Sequence, residues 1–277
     1  MKILALACFC VDVFPETGKI LPGGNALNLA VNCKEAGAEV FAAGNIGTDK
    51  YADILKSAID KYKIDRSRIY EIEGATANHT IHIDANGDRY FKDGAWISGV
   101  WADYKISESD KLFAKNMDAV ATTFYEPDFE NILSVKQQPL KQGSITQVEG
   151  DSIPLTAVDF HDAKISAVWE KYFNSIDLFF ISGKTQDLKP LKEWSKKYKT
   201  VFTATLGEHG SISYKDGKEY KCGAVKVDKV IDTTGCGDSY IAGFIVEYLK
   251  SKNIEASMEN GAHFASKTLS YIGGFQI

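Results

Sequence analysis

The sequence has little of what a metal centre, a disulfide framework or a membrane span requires. Its five cysteines stand at positions 8, 10, 33, 222 and 236, without a Cys-x-x-Cys pair or a histidine–cysteine cluster at zinc spacing. Scattered thiols of this kind are typical of a reduced, cytosolic protein. No apolar run reaches the ~20 residues that cross a bilayer as a helix. These absences argue against disulfide-rich, zinc-binding and helical membrane proteins.

An excess of basic charge is also missing. Lysine and arginine number 32 against 37 aspartates and glutamates, which gives a net charge of -5 and a pI near 5.6. We therefore expect no nucleic-acid partner. The N-terminus, MKILALACFCVDVF, is apolar, but Asp12 interrupts it and no small-residue cleavage site follows. A buried strand is the better interpretation than a signal peptide, so we expect a cytoplasmic protein without a membrane partner.

What the sequence does have is a repeated order of strand and helix. Its 277 residues are 44% hydrophobic, enough for a sizeable core. Apolar runs and helical periodicity predict strands at 3–8, 40–43, 119–123, 155–160, 178–181 and 201–205, with helices at 25–36, 51–61 and the C-terminus. Such alternation predicts an α/β fold with a mainly parallel sheet and helices on both faces.

The pattern changes to period-two alternation between Thr76 and Val100. The residues 79–83 and 89–91 alternate around an Asn86-Gly87 turn, which predicts a β-hairpin outside the main sheet, acting as a small lid. The polar segment from Lys136 to Pro154 lacks periodicity and is predicted to be a surface loop.

The most informative loop runs from Asp232 to Asp238 and reads DTTGCGD before an apolar helix. Glycines allow a close backbone approach, and the first N–H groups of a helix have no partner within the helix. With the positive end of the helix dipole they suit a phosphate. Asp238 is expected to stay ionised there and to take a proton from a bound hydroxyl. The alternative is that Asp238 only caps the helix.

Two further glycine-rich segments precede it. In PGGNALN, from Pro22 to Asn28, two glycines enter a helix whose Asn25 and Asn28 share one face and can present amides to a polyhydroxyl ligand. The alternative is a glycine turn with Asn25 as the N-cap. The turn TLGEHGS, from Thr205 to Ser211, follows an apolar strand and is a weak signal on its own.

In this order, the three segments resemble the ribokinase/PfkB family of carbohydrate kinases, and the resemblance extends from Asp12 to the last helix. It implies a ribokinase-like three-layer α/β/α core with a mainly parallel sheet, in one domain over residues 1–277. The small β-sheet lid would be formed by about 9–20 and 75–100. The implied reaction transfers the γ-phosphoryl group of ATP, with Mg²⁺, to a hydroxyl of a small carbohydrate.

The resemblance also assigns roles to residues. Asp238 is the general base, and an anion hole is formed by the backbone N–H groups of Gly235, Cys236 and Gly237. The nucleotide site comprises Thr205, Gly207, Gly210, Gly235 and Gly237. The sugar site comprises Asp12, Gly23, Gly24, Asn25, Asn28, Arg89 and Glu126. A monovalent cation, K⁺, would bind near Asp232 and Thr234.

Within the family, the first hundred residues most resemble the fructoselysine 6-kinases. The shared phrases are CVDVFP at 10–15, GGN at 23–25 and DRYF at 88–91. A fructosamine substrate is thereby implied, and the alternatives are another sugar or a nucleoside. A non-catalytic relative that binds carbohydrate or nucleotide is the other rival. Lid strands with exposed edges can pair across a two-fold axis, which predicts a homodimer through the lid.

Two departures from the family pattern stand out. SGKT at 182–185 replaces the usual Asn-x-x-Glu that orders magnesium-bound water, and it is not a P-loop because Leu178 stands where the first glycine is required. Cys236 replaces the more usual alanine. A helix N-terminus is predicted to lower the pKa of this thiol and to make it reactive.

Overall fold

The structure, a computed structural model, describes residues 1–136, 153–184 and 186–277, and the predicted loop from Lys136 to Pro154 lies outside them except at its ends. A nine-stranded sheet has the strand order β15-β14-β13-β12-β11-β10-β1-β4-β5. Its strands are β1 (Lys2–Leu6), β4 (Glu39–Ile46), β5 (Asp65–Glu71), β10 (Ala119–Thr123), β11 (Leu155–Asp159), β12 (Leu178–Ser182), β13 (Val201–Thr205), β14 (Ser211–Lys215) and β15 (Lys218–Cys222). All pairings in it are parallel except β13–β14 and β14–β15.

Helices cover both faces of this sheet, as the alternation predicts. The α-helices are α1 (Asn25–Glu35), α2 (Lys50–Lys61), α3 (Glu108–Ala114), α4 (Phe129–Leu133), α5 (Lys189–Lys197), α6 (Cys236–Ser251) and α7 (Ile254–Thr268). Strand β1 shows why both faces must be covered. Its Ile3 and Ala5 pack with α1 and α6, whereas Leu4 and Leu6 pack on the opposite face with the α3 side. A strand that is buried on both faces has a continuous apolar sequence, and this pattern predicted β1.

The chain order creates a switch point beside β1. From β1 the chain continues outward through β4 and β5, and it then returns to β10 on the other side of β1. Ligands of open α/β sheets bind outside the carboxyl ends of the strands at such a point. The loops that follow β1 and β10, together with the N-termini of α1 and α6, therefore frame the candidate site.

Two small sheets stand apart from the main one. The first has the order β3-β2-β6-β9, from β2 (Cys10–Phe14), β3 (Lys19–Gly23), β6 (Asn78–Thr80) and β9 (Trp96–Ile97). The second is the hairpin of β7 (His82–Ile83) and β8 (Arg89–Tyr90). The predicted hairpin thus exists, but its first strand is split, because residues 78–80 pair with β2 and only 82–83 pair with β8.

The predicted strands at 119–123 and 201–205 match the observed bounds, and the other predicted strands differ at their ends. Strand β5 was missed because most of its residues are polar and lie at the sheet edge. In the described ranges, no helix is long and apolar enough to cross a membrane.

Candidate active site

Asp238 lies in the first turn of α6, at the switch point of the main sheet. Its carboxylate accepts hydrogen bonds from two side-chain amides of α1, Asn25 Nδ2 at 3.0 Å and Asn28 Nδ2 at 2.9 Å. The N-cap of α6 is Gly235, and no side chain caps this helix. Asp238 is therefore not a helix cap. Likewise Gly24, not Asn25, is the N-cap of α1.

Burial dominates the electrostatics of Asp238. Removal from water raises the pKa of its carboxyl above the ordinary value, and the nearby charge of Asp159 raises it further. The bonds from Asn28 and Asn25 and the charge of His161 act in the opposite direction. Desolvation is the largest of these effects, so the pKa of Asp238 is raised, and its ionised state stays a prediction. A raised pKa brings the carboxyl closer to that of an efficient general base.

The loop before α6 has the backbone that the glycines predict. Gly235 has a φ of 74°, and a Cβ on it would lie 2.4 Å from Gly274 Cα. Gly237 faces open space. The N–H of Cys236, assigned to the anion hole, instead donates to the Thr233 carbonyl over 3.3 Å and closes a turn.

The prediction for the Cys236 thiol is wrong. Burial raises its pKa to about 12, although the charge of Arg89 acts against this. The helix terminus does not compensate for the lost solvation of a thiolate.

Asp12 approaches the site from the small sheet. It lies on β2, is buried, and burial raises its pKa from the ordinary 3.8 to about 7, while the charge of Arg89 opposes the rise. Each glycine of the PGGN segment is required for a different steric reason. A Cβ on Gly23 would lie 2.1 Å from Asp12 Oδ2, and Gly24 has a φ of 91° with the Cys8 carbonyl 2.6 Å from the position of its missing Cβ.

The β7–β8 hairpin contacts the loop before α6. The carbonyl of Gly87 accepts from Thr233 N–H at 3.1 Å, and Arg89 N–H donates to Thr233 Oγ1 at 3.3 Å. The charge of Arg89 acts on Asp12 and on Cys236. The hairpin therefore brings one cation to the side of the site that faces the small sheet.

The TLGEHGS turn lies beyond β13, four strands away from β1 in the sheet. Thr205 ends β13, and positive φ values of 61° at Gly207 and 84° at Gly210 shape the turn. A Cβ on Gly210 would lie 2.0 Å from the Cys222 carbonyl, so glycine is required there.

A cavity lies between the two helix N-termini and the ends of the central strands. Its lining includes Asn25, Thr122, Asp159 and Asp238. Thr122 Oγ1 is buried and has no hydrogen-bond partner in the described chain. The cavity wall thus carries two carboxylates, Asp159 and Asp238, and a hydroxyl that has no partner among the described residues.

Comparison with known proteins shows the family of the chain. Residues 12–275 match the pfkB family carbohydrate kinase. The chain belongs to this family. It is 31% identical to fructoselysine 6-kinase of Shigella flexneri, over 99% of this chain and 100% of that protein. It is 27% identical to the fructosamine kinase FrlD of Bacillus subtilis, over 99% of this chain and 93% of that one.

A solved structure gives the same fold. The ribokinase of Arabidopsis thaliana, complexed with ribose and ATP, superposes with a TM-score of 0.77 at 18% identity, covering 98% of this chain and 93% of that one. The chain is therefore an ATP-dependent carbohydrate kinase with the ribokinase-like fold, as its motifs predict.

Two assigned residues of the kinase have other partners in the chain. Glu126 is buried, accepts from Trp101 Nε1 at 2.7 Å and from Thr123 Oγ1 at 3.0 Å, and burial raises its pKa to about 8. Asp232 accepts from the N–H groups of Thr234 and Gly273, each at 2.8 Å. Thr234 Oγ1 has no partner in the described residues. Within those same ranges, no cluster of three histidine, cysteine or acidic residues could hold a metal ion.

Three residues near the kinase site were missed from the sequence. Asp159 ends β11 and pairs with His161, whose Nδ1 lies 3.2 Å from Asp159 Oδ2. Lys184 lies against the turn after β13, because a Cβ on Gly207 would be 2.2 Å from Lys184 Cε and 2.9 Å from its Nζ. Asp159 lies near the end of the predicted strand 155–160, His161 directly follows that strand, and Lys184 is the third residue after the predicted strand 178–181. Their signal is therefore a polar residue near the end of a predicted buried strand, where the carboxyl edge of a parallel sheet lies.

Proposed function

We propose that this kinase phosphorylates a fructosamine such as fructoselysine on its 6-hydroxyl, with Asp238 as the general base. The observation that carries the chemistry is the buried Asp238 carboxylate, fixed by two amides at the start of α6 and facing a cavity. The similarity to fructoselysine 6-kinase and to a fructosamine kinase over almost the whole chain supports the choice of acceptor.

The proton and the phosphoryl group move in opposite directions. The acceptor hydroxyl gives its proton to Asp238 as its oxygen bonds to the γ-phosphorus, and the bond from that phosphorus to the β–γ bridging oxygen breaks. ADP leaves, and the proton on Asp238 returns to solvent. Negative charge spread over the transferred oxygens is stabilised by positioned donors rather than by covalent chemistry. The N–H groups of Gly235 and Gly237 and the α6 N-terminus are these donors, and Cys236 contributes one if its bond to Thr233 opens.

The acceptor side would use the residues around Asp12. Asn25 and Asn28 orient the base, and Asn25 also holds the sugar through its remaining polar atom, while Gly23 and Gly24 leave room for the backbone and for Asp12. A fructosamine carries an amine that is cationic when protonated. A buried carboxylate at Asp12 offers the matching charge.

The nucleotide side would use the loop after β13. Thr205, Gly207 and Gly210 form its backbone, and Lys184 supplies a cation that no described carboxylate neutralises. Magnesium is bound by few protein oxygens when it arrives with nucleotide phosphates. The Asp159 carboxylate, at the cavity wall, suits this role where the family's Asn-x-x-Glu is missing. K⁺ near Asp232 and Thr234 is part of the same proposal.

The two small sheets would act as a lid over the acceptor, which excludes water from the transfer step. The small sheets and their connections expose several apolar side chains, namely Ile20, Tyr90, Phe91, Trp96 and Ile97. A patch of this kind on a sheet with free edges favours pairing of two copies, so we propose a homodimer through the lid. We further propose that the enzyme acts in the cytoplasm.

A coupled ADP-release assay tests the proposal. The purified chain is offered ATP and Mg²⁺ with fructoselysine, other fructosamines, fructose, ribose and nucleosides. We expect the fructosamines to give the highest kcat/KM, and Asp238→Asn to lower kcat by about 10²- to 10⁴-fold with ATP binding retained.

The exposed Asp93 provides a matched control, because Asp93→Asn changes the same functional group on the lid surface. Preference for fructose, ribose or a nucleoside would replace the proposed acceptor. Tight acceptor binding without ADP release would instead indicate a non-catalytic relative. Near-wild-type turnover in Asp238→Asn would refute the assignment of the base.

A further inference from the structure

A C-terminal segment, Gly273-Gly274-Phe275, packs against residues that neighbour Asp238 in the proposed active site. Gly273 N–H donates to Asp232 Oδ2 at 2.8 Å, and Phe275 is buried in the core with its ring edge against Tyr62. Between these two anchors, Gly274 is held against the loop before α6 and against α1.

Gly274 packs on the amide of Asn28. A Cβ on Gly274 would lie 2.2 Å from Asn28 Oδ1 and 2.6 Å from Asn28 Nδ2. The chemistry of Asp238 fixes which end of the amide faces it, because an ionised carboxylate only accepts hydrogen bonds. Nδ2 must face Asp238, so Oδ1 must face Gly274. Oδ1 is buried and has no partner among the described residues, which leaves packing against Gly274 to hold it in place.

The same glycine permits the turn at Gly235. The position of a Cβ on Gly235 lies 2.4 Å from Gly274 Cα and 3.1 Å from its carbonyl oxygen. That carbonyl accepts from Asn32 Nδ2 at 3.4 Å, one turn of α1 beyond Asn28. The segment therefore touches the general base through Asn28 and the anion hole through Gly235.

We propose that Gly274 is a positioning residue for phosphoryl transfer, which places the Asn28 amide under Asp238 and the Gly235 backbone at the anion hole. This inference rests on the proposed role of Asp238. The three atoms nearest to a Cβ on Gly274 all belong to the Asn28 amide, so we expect a side chain there to act first on that amide. A displacement of catalytic groups by about 1 Å costs on the order of 10²-fold in rate.

The test is a double-mutant cycle of Gly274→Ala and Asn28→Ala. Gly274→Ala is expected to lower kcat by about 10- to 100-fold with little change in the KM for ATP. In the Asn28→Ala background the added methyl group occupies the vacated space, so Gly274→Ala should change kcat little further. The double variant also provides a folded protein if Gly274→Ala alone proves unstable.

Gly243→Ala is the matched control. Its Cβ would lie 2.8 Å from the Asn260 carbonyl between α6 and α7, so it creates a comparable collision away from the site. It should lower thermal stability but leave kcat nearly unchanged. The proposal is overturned if Gly274→Ala lowers kcat no more than Gly243→Ala, or by the same factor with and without Asn28.

The free energy of unfolding in urea is also measured for the wild type, for Gly274→Ala, for Asn28→Ala and for the double variant. If the wild-type chain phosphorylates none of the acceptors, the proposed function fails, and the unfolding cycle still decides whether Gly274 and Asn28 are coupled. Non-additive unfolding free energies support the contact, and additive ones overturn it.

Discussion

Replacing Asp12 with asparagine is expected to make the kinase more stable and less active. Burial raises the pKa of the Asp12 carboxyl from 3.8 in the unfolded chain to about 7 in the folded protein. The folded state therefore binds more protons than the unfolded state between these values, and stability falls as the pH rises through this window. Asparagine does not titrate, so the variant avoids the loss.

The size of the effect follows from the two pKa values. Each pKa unit of difference between the folded and unfolded states corresponds to about 1.36 kcal/mol. At pH 8 the burial of the Asp12 carboxyl then lowers the free energy of unfolding by about 4 kcal/mol, because the carboxyl must ionise in the folded state. At pH 5 it lowers the free energy of unfolding by less than about 2 kcal/mol, because most of the folded protein carries the protonated carboxyl. The stability of Asp12→Asn relative to the wild type should therefore increase by about 2.5 kcal/mol from pH 5 to pH 8.

Urea unfolding at pH 5, 6, 7 and 8 measures this difference directly. Asp93→Asn, at an exposed position between β8 and β9, is the control and should show a difference that does not change with pH. In the same samples, kcat/KM for the acceptor should fall by about 10- to 100-fold in Asp12→Asn, as expected from the loss of a charge-assisted hydrogen bond. Parallel wild-type and Asp12→Asn curves across the pH range would refute the reasoning.

Two further predictions concern Lys184, which lies against the turn after β13, and the thiol at the start of α6. Lys184→Ala should raise the KM for ATP by about 10-fold and leave adenosine binding unchanged, because an ammonium group contacts phosphate but not the base. Lys189→Ala, a nearby exposed lysine at the start of α5, is the control, and equal effects of the two variants on the KM for ATP would contradict the assignment. Cys236 should resist iodoacetamide at pH 8, since a pKa of about 12 leaves only about one thiol in 10⁴ ionised. Mass spectrometry of the folded chain gives the extent of labelling, and complete modification of Cys236 before unfolding would show that burial does not protect it.

The features that the sequence predicted correctly are local ones. Apolar runs such as 119–123 and 201–205 are buried strands because both of their faces are covered. The glycines at 24, 207, 210 and 235 have positive φ values, as tight turns require. Apolar runs and glycine turns depend on residues that are adjacent in the chain, so they can be predicted from a single sequence.

The features that were missed depend on distant contacts. The contact of Lys184 with Gly207 and that of Gly274 with Asn28 arise only when the strands and the C-terminal segment have assembled. The thiol of Cys236 was predicted from its helix terminus alone, yet its pKa is set by what buries it. The hydrogen bonds from Asn25 and Asn28 to Asp238 also join residues that are far apart in the sequence, so the sequence indicated only a sugar contact for these amides.

Two of the four tryptophans lie where the four-stranded small sheet contacts the core. Trp96 belongs to β9, and its ring centroid lies 5.3 Å from that of Trp101, which donates to Glu126 at the end of the core strands. Trp96 also meets the edge of His79. Trp169 and Trp194 are buried in the core, away from this contact. We therefore expect the intrinsic fluorescence of Trp96 and Trp101 to depend on the contact between the small sheet and the core, so that this contact can be followed without any attached dye.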